Sequence, residues 1–179
     1  KNINNKFSNC AENSIRVECS GRGDQFELIN NYFTGCNSGS IIGFPKNDLS
    51  QVPIIRGNIF ERNQNAGQVS FTFRVNSNVD NILFENNTFK DQKSSIGGFG
   101  GEIITALSKI DVTFLNCQFI NNEQNTEGGG FNTNTNLNKA KLTFTGCTFS
   151  DNKANGRGGG LFINSQYESV ISDCTFSGN

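Results

Sequence analysis

Six cysteines are the chemically most distinctive side chains of this 179-residue chain: Cys10, Cys19, Cys36, Cys117, Cys147 and Cys174. Thiols can pair as disulfides, bind soft metals or act as nucleophiles. No two of them stand in a Cys-x-x-Cys spacing, so the usual zinc-site pattern is missing. Histidine is absent altogether, which removes the commonest acid/base group and metal ligand. An even cysteine count in a secreted chain fits a disulfide framework, but cysteine is also a small residue that buries readily. Buried free thiols and at least one disulfide both remain open at this point.

Carboxylates are the next candidates. Cleavage of a polysaccharide needs paired acids at glycosidic distance, or calcium-binding acids beside a basic proton acceptor. Here Asp24, Glu27, Asp48, Glu61, Asp80, Glu85, Asp91 and Glu102 are scattered singly, without an Asp-Asp or Asp-x-Asp motif. No catalytic residue, metal ligand set or cofactor is expected. Two short motifs remain. Arg22-Gly23-Asp24 spells an adhesive tripeptide in a turn between Cys19 and Phe26, although such turns carry charge simply to stay wet. Asn86-Asn87-Thr88 is the one N-glycosylation sequon.

Whatever these residues do, the elements that hold them must come from an unusual composition. The formal net charge is −1, from 15 basic and 16 acidic residues mixed along the chain. No basic stripe exists to neutralise phosphates, so nucleic acid is not an expected partner. No apolar run of about 18 residues could span a membrane as a helix. Seventeen phenylalanines stand against two tyrosines, which suggests one kind of buried slot filled many times. The first residue is Lys1 and methionine is absent, so the chain reads as a mature product or a piece of something longer.

That slot repeats. Phe7, Phe33, Phe60, Phe89, Phe119, Phe149 and Phe176 are 26, 27, 29, 30, 30 and 27 residues apart. Two residues before them stand Asn5, Asn31, Asn58, Asn87, Cys117, Cys147 and Cys174, and three after them Cys10, Cys36, Asn63, Gln92, Asn122, Asn152 and Asn179. Five residues before six of them is a large hydrophobe: Leu28, Ile55, Phe84, Phe114, Phe144 and Ile171. A third apolar stretch follows each unit, as in Ile41-Ile42, Ile103-Ile104 and Leu161-Phe162-Ile163.

Three short strand-like pieces in a repeat of about 26–30 residues describe one coil of a parallel β-helix. The chain is therefore expected to be all-β, a right-handed parallel β-helix of six to seven coils, with residues 1–179 one segment of a longer array. Alternation along a strand points Cys147 and Phe149 inward and Thr148 outward. Thr145-Gly146 should turn a corner. Inward asparagines should bond to the asparagine above and to nearby backbone, and are expected to adopt the left-handed conformation of the corner. Cysteine should fill the same slot. Asn86 should sit at the corner, open to a glycan.

Phe84-Glu85-Asn86-Asn87, Phe119-Ile120-Asn121-Asn122 and Phe149-Ser150-Asp151-Asn152 resemble the FxxN repeats of polymorphic outer-membrane-protein-like β-helices. Gly128-Gly129-Gly130-Phe131 and Gly158-Gly159-Gly160-Leu161 resemble their GGA[ILV] element, with glycine in place of alanine. The resemblance implies a pectin-lyase-like fold and a surface-exposed passenger or adhesin role. The expected function is an extracellular, cell-surface structural or adhesive module, not an enzyme. Its expected partners are neighbouring coils of the same or an identical chain, stacked end to end, with surface glycans or cell-surface proteins beyond them. A carbohydrate-active enzyme would instead need a groove with convergent acids, and a carbohydrate-binding module exposed aromatics. Tyr32 and Tyr167, the two tyrosines, do not align.

Overall fold

In a computed structural model the chain is all-β, and its parallel sheets stack as a β-solenoid. The structure describes residues 1–11, 16–18, 27–36, 40–44, 54–65, 71–75, 81–94, 102–105, 110–132, 140–164 and 168–179. Among the described residues no helix is long and apolar enough to cross a membrane.

Two faces run the length of the stack. The first is a seven-stranded parallel sheet of Asn2–Ile3, Glu27–Ile29, Ile54–Arg56, Asn81–Glu85, Ile110–Leu115, Ala140–Thr145 and Ser169–Ser172, adjacent in that order. The second, also seven-stranded, holds Lys6–Ser8, Tyr32–Thr34, Ile59–Glu61, Thr88–Lys90, Gln118–Ile120, Thr148–Ser150 and Thr175–Ser177. Register follows the repeat: Phe84 pairs with Ile55 and Phe114, and Phe119 with Phe89 and Phe149.

The remaining faces are shallower. Gln64–Asn65, Lys93–Ser94, Glu123–Gln124 and Lys153–Ala154 form one four-stranded sheet; Arg16–Glu18, Ser40–Phe44, Phe71–Val75 and Glu102–Thr105 form another. Phe131–Asn132 pairs with Leu161–Phe162. Two expectations are corrected here. The middle coils carry four short strands, not three, because the chain stays extended for two residues beyond the second inward polar column. On the four-stranded faces the solenoid amounts to about three turns, not six to seven. The physical reason lies in the spacing. The hydrophobe, the phenylalanine and both polar columns keep fixed separations, so all variation in repeat length falls after the second corner. Only the two faces before that corner are held in strict register throughout.

Both corners are left-handed. Between the two long faces Asn4, Asn30, Gly57, Asn86, Asn116, Gly146 and Asp173 have φ of 53–66°. After the second face Asn9, Gly35, Arg62, Asp91, Asn121, Asp151 and Gly178 have φ of 51–64°. The left-handed residue is thus the one before each inward amide or thiol, not the inward asparagine itself. Its carbonyl must swing round so that the next side chain can enter the core. Gly, Asn and Asp tolerate this conformation at least cost, and Arg62 alone departs from that set.

The core is a pair of aromatic and aliphatic stacks. From Phe7 to Phe176 each ring of the phenylalanine column lies on the next, with centroids 4.7–5.2 Å apart and planes within 9° of parallel. The spacing is that of neighbouring strands. Phe84, Phe114 and Phe144 make a shorter stack at 4.7 and 4.8 Å, and Phe131 meets Phe114 and Phe144 edge-on. All of these except the terminal Phe7 and Phe176 are fully or almost fully buried. Phe119→Ala should cost roughly 3–5 kcal/mol through the cavity it opens. Thr148→Ala, on the outward side of the adjoining strand, should cost less than about 0.5 kcal/mol. Equal shifts of the two denaturation midpoints would contradict this register.

Candidate functional site

The sequence-predicted polar residues assemble into two inward columns, one behind each corner. In the first, the Asn5, Asn31 and Asn58 backbone N–H groups donate to Oδ1 of Asn31, Asn58 and Asn87 on the next coil, at 2.9, 2.9 and 3.0 Å. The Asn58 and Asn87 Nδ2 groups donate back to the Leu28 and Ile55 carbonyls, each at 2.8 Å. In this column the buried amides of Asn31, Asn58 and Asn87 therefore each bridge two coils and meet a backbone donor and a backbone acceptor. A buried group left unpaired would cost about 1–3 kcal/mol.

Cys117, Cys147 and Cys174 continue that column and take over half of the task. Their thiols donate to the Phe84, Phe114 and Phe144 carbonyls at 3.4, 3.4 and 3.5 Å, the positions that asparagine Nδ2 serves in earlier coils. The interchange of asparagine and cysteine in the sequence thus has a hydrogen-bonding reason beyond size. Cys10, Cys36, Cys117, Cys147 and Cys174 are all free thiols, while Cys19 lies outside the described residues. The neighbouring Cys147 sulfur and burial push the Cys117 thiol far above its ordinary pKa. Burial and the Cys36 sulfur push Cys10 up to about 11, and burial raises Cys174.

In the second column Asn122 and Asn152 Nδ2 donate to the Phe89 and Phe119 carbonyls at 3.1 and 2.9 Å. Asn122 and Asn152 N–H donate to the next amide oxygen, at 3.1 and 3.0 Å. Gln92 breaks the pattern. Its Nε2 reaches the Phe60 carbonyl at 3.2 Å, but its extra methylene leaves the buried Oε1 without a partner.

Other groups meet on the outside. Tyr32 Oη donates to Glu61, and Lys90 Nζ and Arg62 Nη2 lie 3.5 and 3.3 Å from the same carboxylate. The Tyr32 hydroxyl, with the two cations adding to it, holds the Glu61 carboxyl below its ordinary pKa. Asn121 Nδ2 donates to Asp91 Oδ1 at 2.7 Å, and Arg157 binds Glu127 through Nε and Nη2 at 2.8 and 2.6 Å. These pairings between coils escaped sequence reading, because their spacing of one repeat shows only once the coils are stacked. Among the described residues no three His, Cys, Asp or Glu side chains are arranged to hold a metal ion.

Asn86 is exposed at the first corner and Asn87 buried beside it. Arg22-Gly23-Asp24 lies outside the described residues. The triple glycines stack as successive turns, with Gly129 N–H on the Gly158 carbonyl at 3.2 Å and Phe131 N–H on Gly160 at 3.0 Å. A Cβ on Gly130 would stand 2.5 Å from the Gly160 oxygen. The alanine of a GGA[ILV] element would clash in this packing.

If the thiols substitute for amides, Cys147→Asn should leave the unfolding free energy within about 1 kcal/mol of the parent. Cys147→Val, which strands the Phe114 carbonyl, should cost about 1–3 kcal/mol. Gln92→Asn should raise stability by supplying an acceptor to the coil before. In alkylation of the native chain Cys117 and Cys147 should be protected until denaturant is added; rapid native labelling of both would place their column outside. No protein family, curated protein or solved structure matches the chain.

Proposed function

We propose that this chain is a non-catalytic structural or adhesive module of an extracellular or cell-surface rod, akin to the FxxN-repeat β-helix proteins that its motifs resemble. The observation that carries the reading is the identity of what each coil offers the next. The phenylalanine stack, the hydrophobe stack and the amide columns recur at one spacing and in one register through both long faces. Such a unit extends by addition of coils.

In the last strand of each long face Ile171 and Phe176 are 48% and 47% exposed, whereas the same columns are buried from Leu28 to Phe144 and from Phe33 to Phe149. A parallel strand edge beside an apolar column is a template for a further strand. The partner proposed is one more coil of the same kind, from the same or an identical chain, while the varied outward residues address surface glycans or cell-surface proteins. The near-neutral charge gives nucleic acid no footprint.

Light scattering on residues 1–179 tests the stacking. Mass should rise with concentration, and Phe176→Ser should weaken the rise. A monomer that stays monomeric across a wide concentration range would overturn the rod.

A further inference from the structure

We propose that Asn86 carries an N-linked glycan on the first corner of the solenoid. Its physiological setting rests on the extracellular reading above; the site itself rests on geometry. This corner recurs seven times between the two long faces, and asparagine occupies it at Asn4, Asn30, Asn86 and Asn116. A threonine stands two residues on at Thr88, Thr148 and Thr175. Only the fourth coil brings the two together, as Asn86-Asn87-Thr88.

The fold keeps the backbone and side chain of Asn86 apart in their tasks. Its N–H is committed to the Leu115 carbonyl at 2.9 Å, and its φ of 55° turns the chain. Its side chain is exposed, and no hydrogen bond holds its amide to another described residue. Compare Asn30 and Asn116. Each is followed at the corner by a glycine, and its Oδ1 lies 2.2 or 2.4 Å from where that glycine's Cβ would be. Those amides fold down onto the next coil. Asn86 is followed by Asn116, which carries the Cβ that those glycines lack, and the side chain of Asn86 is exposed. The adjacent Asn87 is the buried one, bonded to the Ile55 carbonyl at 2.8 Å, so a saccharide on Asn86 leaves the amide column untouched.

The chemistry is transfer from a lipid diphosphate oligosaccharide. Nδ2 of Asn86 forms a bond to the anomeric carbon, the bond from that carbon to the diphosphate oxygen breaks, and the diphosphate leaves with the electron pair. The nitrogen loses one proton. Transfer requires Asn86 and Thr88 on an extended acceptor, so it precedes closure of the coil. The finished corner then points the glycan away from both long faces.

Residues 1–179 secreted from eukaryotic cells behind a supplied cleavable signal test this without reference to the native location. A single glycan-sized mass increment, removed by an amide-cleaving glycosidase, should appear in the parent and be absent from both Asn86→Gln and Thr88→Ala. Lys6→Thr, which writes the same tripeptide around Asn4 at the equivalent corner, should add a second increment. A secreted parent without the increment overturns the proposal, most sharply where Lys6→Thr gains one. An increment that survives Thr88→Ala also overturns it. Failure of the rod alone would leave these masses unchanged.

Discussion

Everything in this molecule depends on in-register parallel pairing of successive coils. Parallel strands lie about 4.8 Å apart, and register places each residue over its counterpart one repeat away. The side-chain contacts are therefore between like and like. For phenylalanine that is a gain, since offset stacked rings add about 0.5–1.5 kcal/mol per pair beyond the area they bury. The observed centroid spacings of 4.7–5.2 Å show the rings adopting the spacing of the backbone.

Like-on-like stacking is dangerous for polar groups, because two identical donors cannot satisfy one another. Asparagine escapes the difficulty by carrying an acceptor and a donor on one planar group. Oδ1 faces the backbone N–H of the coil before, and Nδ2 turns toward a carbonyl in that same coil. Cysteine keeps the donor with a weaker acceptor, which suffices where the sulfur column runs through Cys117, Cys147 and Cys174. Glutamine carries the same groups on too long a stem, and the orphaned Oε1 of Gln92 is the consequence.

These constraints explain what could be read without coordinates. A residue type forced to recur at a fixed offset leaves a period, and so the phenylalanine, hydrophobe and amide columns were legible in the sequence. Asn86 at the corner and Asn87 within followed from strand alternation. The left-handed corner is legible at Asn86 and Gly146 and less so elsewhere, because Asn4, Gly57, Arg62 and Asp173 share a conformation without sharing a type. The two-residue strands such as Lys93–Ser94 are too short to alternate and left no signal. The partner of Glu61 on the next coil, Lys90, stands 29 residues away in a loop-rich chain, and nothing local marks the pair.

The same division limits what the fold can say about function. Inward positions are spent on stacking, and each inward column draws on a narrow set of residue types, phenylalanine throughout in one of them. The outward column beside the phenylalanines reads Ser8, Thr34, Glu61, Lys90, Ile120, Ser150 and Ser177. Its members share a place on the sheet but mix hydroxyl, carboxylate, ammonium and aliphatic side chains. A substitution there changes one patch of surface and disturbs no ladder, whereas a substitution one residue away opens the core. Any recognition built on this scaffold must therefore be written in the outward columns and corners, where neighbouring coils contribute unlike groups to one patch. The repeat that makes the fold legible is also what hides the function, since the informative residues are those that do not repeat.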